Sequence, residues 1–312
     1  MLPLSVRLFG KFSAQRDGQE LQGFDACKVQ ELFCYLLIYP DRPHSREALA
    51  NLLWGDHLIH KSKKYLRQTL WQLQNALGSR SDAGILRVEP DWVQLYSHPD
   101  LCLDVAIFEQ TFAQTQRVAY QELSAEMMRM IGDAVQLYRG DLLEGWYHDW
   151  CLYERERHQN NYLEMLDKLV CCCEIRQEYE AGLVYGALIL RYDRASERAH
   201  RRVMRLHYLA GNRTAALRQY ERCVAALSEE LGVEPDKRTI QLCEQIRADR
   251  LDAAPAREAK PELEPGAATS LPEVLNRLKH LRANLREMQE QVQQNIHAVE
   301  WFLNNAPDVA RR

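Results

Sequence analysis

Residues 178–211 span 34 positions and are followed by a partial echo of themselves, in which Ala181-Gly182-Leu183 recurs as Ala215-Ala216-Leu217. A pair of helices with its turns occupies about 34 residues, and small side chains at a fixed place in each pair let the helices cross closely. Such a chain cannot bury its apolar faces one pair at a time and has to stack pairs into an array. The stretch 101–251 is accordingly expected to be almost wholly helical. A helix-breaking turn, Leu231-Gly232-Val233-Glu234-Pro235-Asp236, punctuates its end.

That period is the one used by tetratricopeptide-like (TPR-like) repeats, and the first hundred residues are built on another plan. Short apolar pieces (Leu4, Val6, Leu8, then Phe12) alternate with Gly10, Gly18 and Gly23, the pattern of a small antiparallel sheet. A helix follows over 29–39, apolar at 29, 32, 33, 36 and 37 and stopped by Pro40. Ser45 is placed to cap a short helix that Gly55 ends, and a longer helix over 60–77 runs to Gly78. Strand-like pieces at 85–88 and 92–96 flank Glu89-Pro90-Asp91 and read as a hairpin. Sheet, three helices and hairpin in that order form the winged helix-turn-helix arrangement, in its version with a leading sheet (OmpR-like).

The third helix carries the chemistry. Leu66, Leu70, Leu73 and Leu77 form one stripe that has to face the core. The opposite face then holds Lys61, Lys64, Arg67, Gln68, Trp71 and Asn75, with Lys63 and Gln72 on its flanks. Cationic and amide side chains are what phosphate contact and base-edge hydrogen bonding require in a major groove. Arg67 is suited to a bidentate guanine contact, Gln68 and Asn75 to adenine, and Trp71 to sugar or thymine methyl groups. In the hairpin, Arg87 and Trp92 flank the tip, whose Glu89 and Asp91 make a poor phosphate ligand, so only a modest contact is expected there.

Charge is uneven along the chain. The formal net charge is −4, yet Arg42, Arg46, Lys61, Lys63, Lys64, Arg67, Arg80 and Arg87 face only Glu47, Asp56 and Asp82 over the same stretch. A local positive field of this kind can replace counterions on phosphates. The nine cysteines show no CxxC pair and no zinc spacing, so they read as reduced structural thiols, and a cytoplasmic location is expected. No run of about 18 uncharged apolar residues occurs, and residues 1–9, interrupted by Pro3 and Arg7, are not expected to act as a secretory signal. Phosphate-binding, zinc-protease and serine-hydrolase motifs are absent. His148-Asp149, between Trp146 and Trp150, is read as helix packing. No enzyme activity, metal or cofactor is expected.

Residues 252–270 change character, rich in Ala, Glu and Lys with Pro255, Pro261, Pro265 and Gly266, and read as a flexible linker. Ser270-Leu271-Pro272-Glu273 then forms a capping box. The helix beyond it, over 271–304, keeps apolar residues at steps of three and four for about 45 Å, including Leu278, Leu281, Leu285, Met288, Val292, Ile296 and Val299. That narrow seam is a coiled coil for a second copy or a partner protein.

Five segments carry a resemblance: SREALANLLWGD (45–56), KSKKYLRQTLWQLQNALG (61–78), LDVAIFEQ (103–110), YRGDLLEGWYHDWCLYERERH (138–158) and AGNRTAALRQYERCVAALSEELGVEPD (210–236). Together they make roughly residues 4–250 resemble the bacterial transcriptional activator domain family, the Streptomyces antibiotic regulatory proteins (SARPs) and their relatives. The resemblance implies an OmpR-like DNA-binding domain (1–100) packed on a TPR-like domain (101–251), binding to promoter repeats on double-stranded DNA, and recruitment of RNA polymerase. It also implies that helix 61–77 enters the major groove. This chain departs from the family where Gln72, Gln74 and Asn75 stand in place of frequent arginines, and where it adds the linker and coil.

Two functions follow as expectations. One is a sequence-specific transcriptional activator, dimerised or docked through its coil, with repression open because DNA binding does not set the direction of regulation. The alternative is an adaptor that uses the repeat domain and coil in a larger assembly, with DNA binding weak or lost. It draws on the acidic wing, on Trp71, and on the near balance of charge over residues 1–100.

Overall fold

The computed structural model describes residues 4–78 and 85–251. The linker at 252–270 and the coil expected over 271–304, with its seam residues, lie outside the described residues.

The chain starts with β1 (Leu4–Arg7), β2 (Ser13–Arg16) and β3 (Gln19–Glu20), then α1 (Cys27–Ile38). Val29, Leu32, Phe33, Leu36 and Leu37 of α1 are all buried, as their spacing required, and the helix stops just before Pro40, a residue that disfavours helical backbone ahead of it. Next come β4 (His44–Ser45), α2 (Arg46–Trp54) and α3 (Ile59–Leu77). Ser45 does occupy the cap position of α2 in extended backbone, but its hydroxyl makes no capping hydrogen bond. Gly78 closes α3 in left-handed backbone (φ +72°), a conformation that glycine adopts without steric cost. The hairpin is β5 (Leu86–Val88) and β6 (Trp92–Leu95), and β4 pairs with β6 to make a three-stranded wing.

One strand was not expected. β7 (Leu101–Leu103) pairs parallel to β1, Leu4 opposite Leu101, so the second segment of the chain begins inside the sheet of the first. The order in that sheet is β3-β2-β1-β7. Directly after β7, Asp104 opens α4 (Asp104–Thr115) and turns its buried carboxylate back on the end of β1. It accepts the backbone N–H groups of Leu8 (2.9 Å), Phe9 (3.0 Å) and Val105 (2.8 Å).

The rest is helical: α5 (Ala125–Leu137), α6 (Asp149–Ile175), α7 (Tyr179–Tyr192), α8 (Glu197–Leu209), α9 (Arg213–Glu230) and α10 (Lys237–Arg247). Consecutive helices from α6 to α10 pack on one another, joined by short turns. The small residues sit at the crossings. A Cβ on Gly182 would lie 2.9 Å from Leu206 Cδ1, and one on Gly186 2.5 Å from Val203 Cγ2, so α7 and α8 touch backbone to side chain. Ala216, the 34-residue counterpart of Gly182, is fully buried with Met204, Leu242, Cys243 and Ile246. In the turn before α10, Gly232 takes a positive φ and Asp236 caps the helix by accepting the N–H groups of Arg238 and Thr239. All nine cysteines are free thiols, and seven of them are buried. Among the described residues, no helix is long and apolar enough to cross a membrane.

A single apolar core runs from the sheet through α1 and α3 into α4–α8. Phe9 is packed among Phe108, Tyr138 and His158, and its backbone bridges to Leu142. Around this joint Tyr39, the residue that caps the end of α1, donates to Glu154 of α6 (2.9 Å), and Glu154 accepts Arg157 (2.6 Å). Arg157 and the fully buried His158 both reach Glu109 of α4. His148, at the cap of α6, stacks on Trp150 and lies 3.1 Å from the buried Glu31 of α1, a packing role.

Candidate nucleic-acid interface

The leucine stripe of α3 decides what the helix shows to solvent. Leu66, Leu70, Leu73 and Leu77 are buried, and Ser62 Oγ donates to Trp54 O (3.0 Å), fixing α3 against the end of α2. Lys61, Lys63, Lys64, Arg67, Gln68, Trp71 and Asn75 are thereby exposed, and Gln72 is half-buried. Trp71 keeps 59% of its surface in solvent, a large apolar exposure in the middle of a polar face.

The wing sits beside this face. A cleft of about 520 Å³ lies between the start of α2, the first half of α3 and the wing tip. Lys63 and Arg67 line it from α3, and Trp92, 49% exposed, lines it from the wing. Arg87 is on the wing's other side with Glu89, Gln94 and Tyr96. Lys61, Gln68, Trp71, Gln72 and Asn75 stand outside the cleft on α3 itself.

Arg46 belongs to the site and was not singled out from sequence, although it was counted in the basic stretch. As the first residue of α2 it lines the cleft, and its guanidinium donates to Glu89 O (3.1 Å) while its N–H donates to Asp91 O (3.0 Å). It therefore ties α2 to the wing. Also missed are Leu58 and Ile59, which enter α3 64% and 76% exposed.

Carboxylates occupy part of the cationic field. Lys63 Nζ pairs with Glu47 (2.5 Å), and Arg87 Nε pairs with Glu89 (2.7 Å). The Lys63 hydrogen bond, with its charge, holds the Glu47 carboxyl below its usual range, and the Glu89 hydrogen bond raises Arg87. Both pairs are exposed, so solvent screens them and a phosphate can exchange for either carboxylate at small cost. Lys61, Lys64 and Arg67 form no ion pair among the described residues.

Comparison with known proteins bears on the helical part of the chain and on the fold. Residues 103–247 match the family described as bacterial transcriptional activator domain. The fold is similar to a solved structure described as Mycobacterium tuberculosis EmbR in complex with a low affinity phosphopeptide. That match has a TM-score of 0.65 and 18% identity, and covers 81% of this chain and 67% of that one. No curated protein matches this chain significantly. Residues 103–247 therefore resemble a bacterial transcriptional activator domain, and the solved structure shares the fold of most of the chain.

Proposed function

We propose that the chain is a sequence-specific DNA-binding regulator that reads promoter repeats with α3 and activates transcription by recruiting RNA polymerase. The observation that carries this reading is the solvent face of α3, where Lys61, Lys64, Arg67, Gln68 and Asn75 stand exposed over a buried leucine stripe. Their donors match base edges and phosphates. Arg67 reads guanine, Gln68 and Asn75 read adenine, Trp71 packs on sugar or thymine methyl, and Lys61, Lys63 and Lys64 contact backbone. Arg87 and Trp92 add a wing contact. The seam over 271–304 joins two copies, which raises effective concentration on paired half-sites.

A footprint and gel shift on the region upstream of its own reading frame test this. Arg67→Ala should cost about 1–3 kcal/mol and relax sequence preference at one position, whereas Lys64→Ala should weaken all sites alike and lower the salt slope by about one. Unchanged binding in both variants removes α3 as the reading helix.

A second reading is an adaptor whose winged helix no longer holds DNA. It is favoured by one observation, the Glu47 and Glu89 carboxylates placed on two of the cations. No DNA affinity at about 50 mM salt, together with a stoichiometric protein partner, would establish it in place of the first.

A further inference from the structure

Away from the DNA face, α7, α8 and α9 enclose a groove of about 620 Å³, within the size range of small-molecule sites. One wall is apolar, made by Leu183 and Leu190 of α7, Val203 of α8 and Ala226 of α9. The same groove is lined by three guanidinium groups, Arg191, Arg194 and Arg222. No aspartate or glutamate lines the groove. Nearby carboxylates lie outside it: Glu229 and Glu230 hold Arg194 (3.2 and 3.6 Å), while Arg191 has no ion pair among the described residues.

The floor is polar, buried and internally satisfied. His200 and Gln219 are each only 4% exposed. His200 Nε2 lies 2.9 Å from Arg194 O, and His200 Nδ1 lies 2.8 Å from Gln219 Nε2. The carbonyl needs a donor and the amide nitrogen is one, so the ring is neutral, with its proton on Nε2. Burial lowers its pKa in the same sense. Gln219 Oε1 is then left to accept Arg222 Nη1 (3.4 Å), which aims that guanidinium over the floor. Burial likewise lowers the pKa of His207, the other imidazole lining the groove, so positive charge there comes from the arginines, while His200 and Gln219 already have partners within the fold.

We infer that this groove is a binding site for a small amphipathic organic anion, its acid group on Arg191 and Arg222 and its apolar body on the Leu183–Leu190–Val203 wall. A nucleic acid would find three cations but no phenylalanine, tyrosine or tryptophan to stack a base among the groove-lining residues. An inorganic anion would leave the apolar wall empty.

The test is calorimetric titration of the full chain, without DNA, with octanoate as the probe and octanol and inorganic phosphate as controls. One octanoate per chain is expected, with both controls at least tenfold weaker. Removing charge-assisted hydrogen bonds in Arg191→Ala/Arg222→Ala should weaken octanoate by roughly tenfold or more. Ala187→Phe, on an exposed groove position of α7, should abolish binding while leaving helix content unchanged by circular dichroism. No octanoate binding at millimolar concentration, equal binding of phosphate alone, or undiminished binding in the double variant would overturn the site. Because DNA is absent from the titration, none of these results touches the reading of α3.

Discussion

Polar and charged side chains are used in opposite ways at the joint where β1 and α1 meet α4 and α6, and on the solvent face of α3. At the joint, Asp104, Glu154 and His158 are buried and each holds two or more partners on different elements. On α3 and the wing, the Lys63–Glu47 and Arg87–Glu89 pairs are exposed, and Arg87 also interacts with the neighbouring Tyr96. A buried charge deprived of its partner is costly, whereas an exposed pair adds little to stability and is easily exchanged. The joint therefore sets how the sheet and α1 sit on the later helices, while the α3 face stays open to solvent. Variants at the two places should separate cleanly, the first affecting folding and the second affecting binding.

The largest effect is expected at Asp104. Burial lifts its carboxyl above the usual range despite the three N–H groups it accepts, so the bonds are made against a desolvation cost. Asp104→Ala leaves the N–H groups of Leu8, Phe9 and Val105 without this acceptor and should cost about 3–5 kcal/mol in urea unfolding. Asp104→Asn keeps one carbonyl oxygen and should cost less than half as much. Equal losses would mean that charge, and not hydrogen bonding, carries the joint.

Glu109 comes next, and it brings a pH signature. Burial works against its ionisation, but the hydrogen bonds and charges of His158 and Arg157 outweigh this and hold its pKa below the ordinary value of 4.5. A depressed carboxylate contributes stability that is present above that ordinary value and is lost as pH falls through the depressed one. Glu109→Gln should therefore be less stable than the parent by about 1 kcal/mol at pH 7, discounted for partial solvent screening. The difference should close as the pH is taken below 4.5. A gap that persists in acid would assign the loss to packing. Tyr39→Phe should cost a similar or smaller amount, about 1 kcal/mol, because Glu154 keeps Arg157 when the tyrosine hydroxyl is gone.

What could be read from the sequence follows from periodicity. The spacing 66, 70, 73, 77 determines which side of α3 is buried, and so which polar residues are exposed. The 34-residue offset between Gly182 and Ala216 marks two helix crossings before any contact is known. Pairings between distant elements leave no such trace. Nothing in Leu101–Leu103 announces that it will lie parallel to β1, because strand pattern encodes faces and not neighbours. The same limit hid the Glu47–Lys63 pair, whose members lie on two helices, and the role of Arg46, which depends on where the wing folds. Glu89 and Asp91 were legible as an acidic wing tip, but that one of them would neutralise Arg87 depended on the hairpin geometry.

The smallest effect is the one that tests the reading face most directly. In Glu47→Gln the Lys63 ammonium loses its carboxylate and becomes available to a phosphate. Unfolding should be unchanged within error, because the pair is exposed and screened. DNA affinity should rise by roughly two- to fivefold at low salt, and the slope of log K against log salt should steepen by up to about one as one more counterion is released. Lys63→Ala should give the reverse, and in the double variant the benefit of Glu47→Gln should vanish, since it acts through Lys63 alone. If Glu47→Gln strengthens binding without Lys63, the carboxylate repels the phosphates directly. If neither variant alters DNA binding, this end of α3 lies away from the duplex, and the docked part of the helix is restricted to Arg67–Asn75.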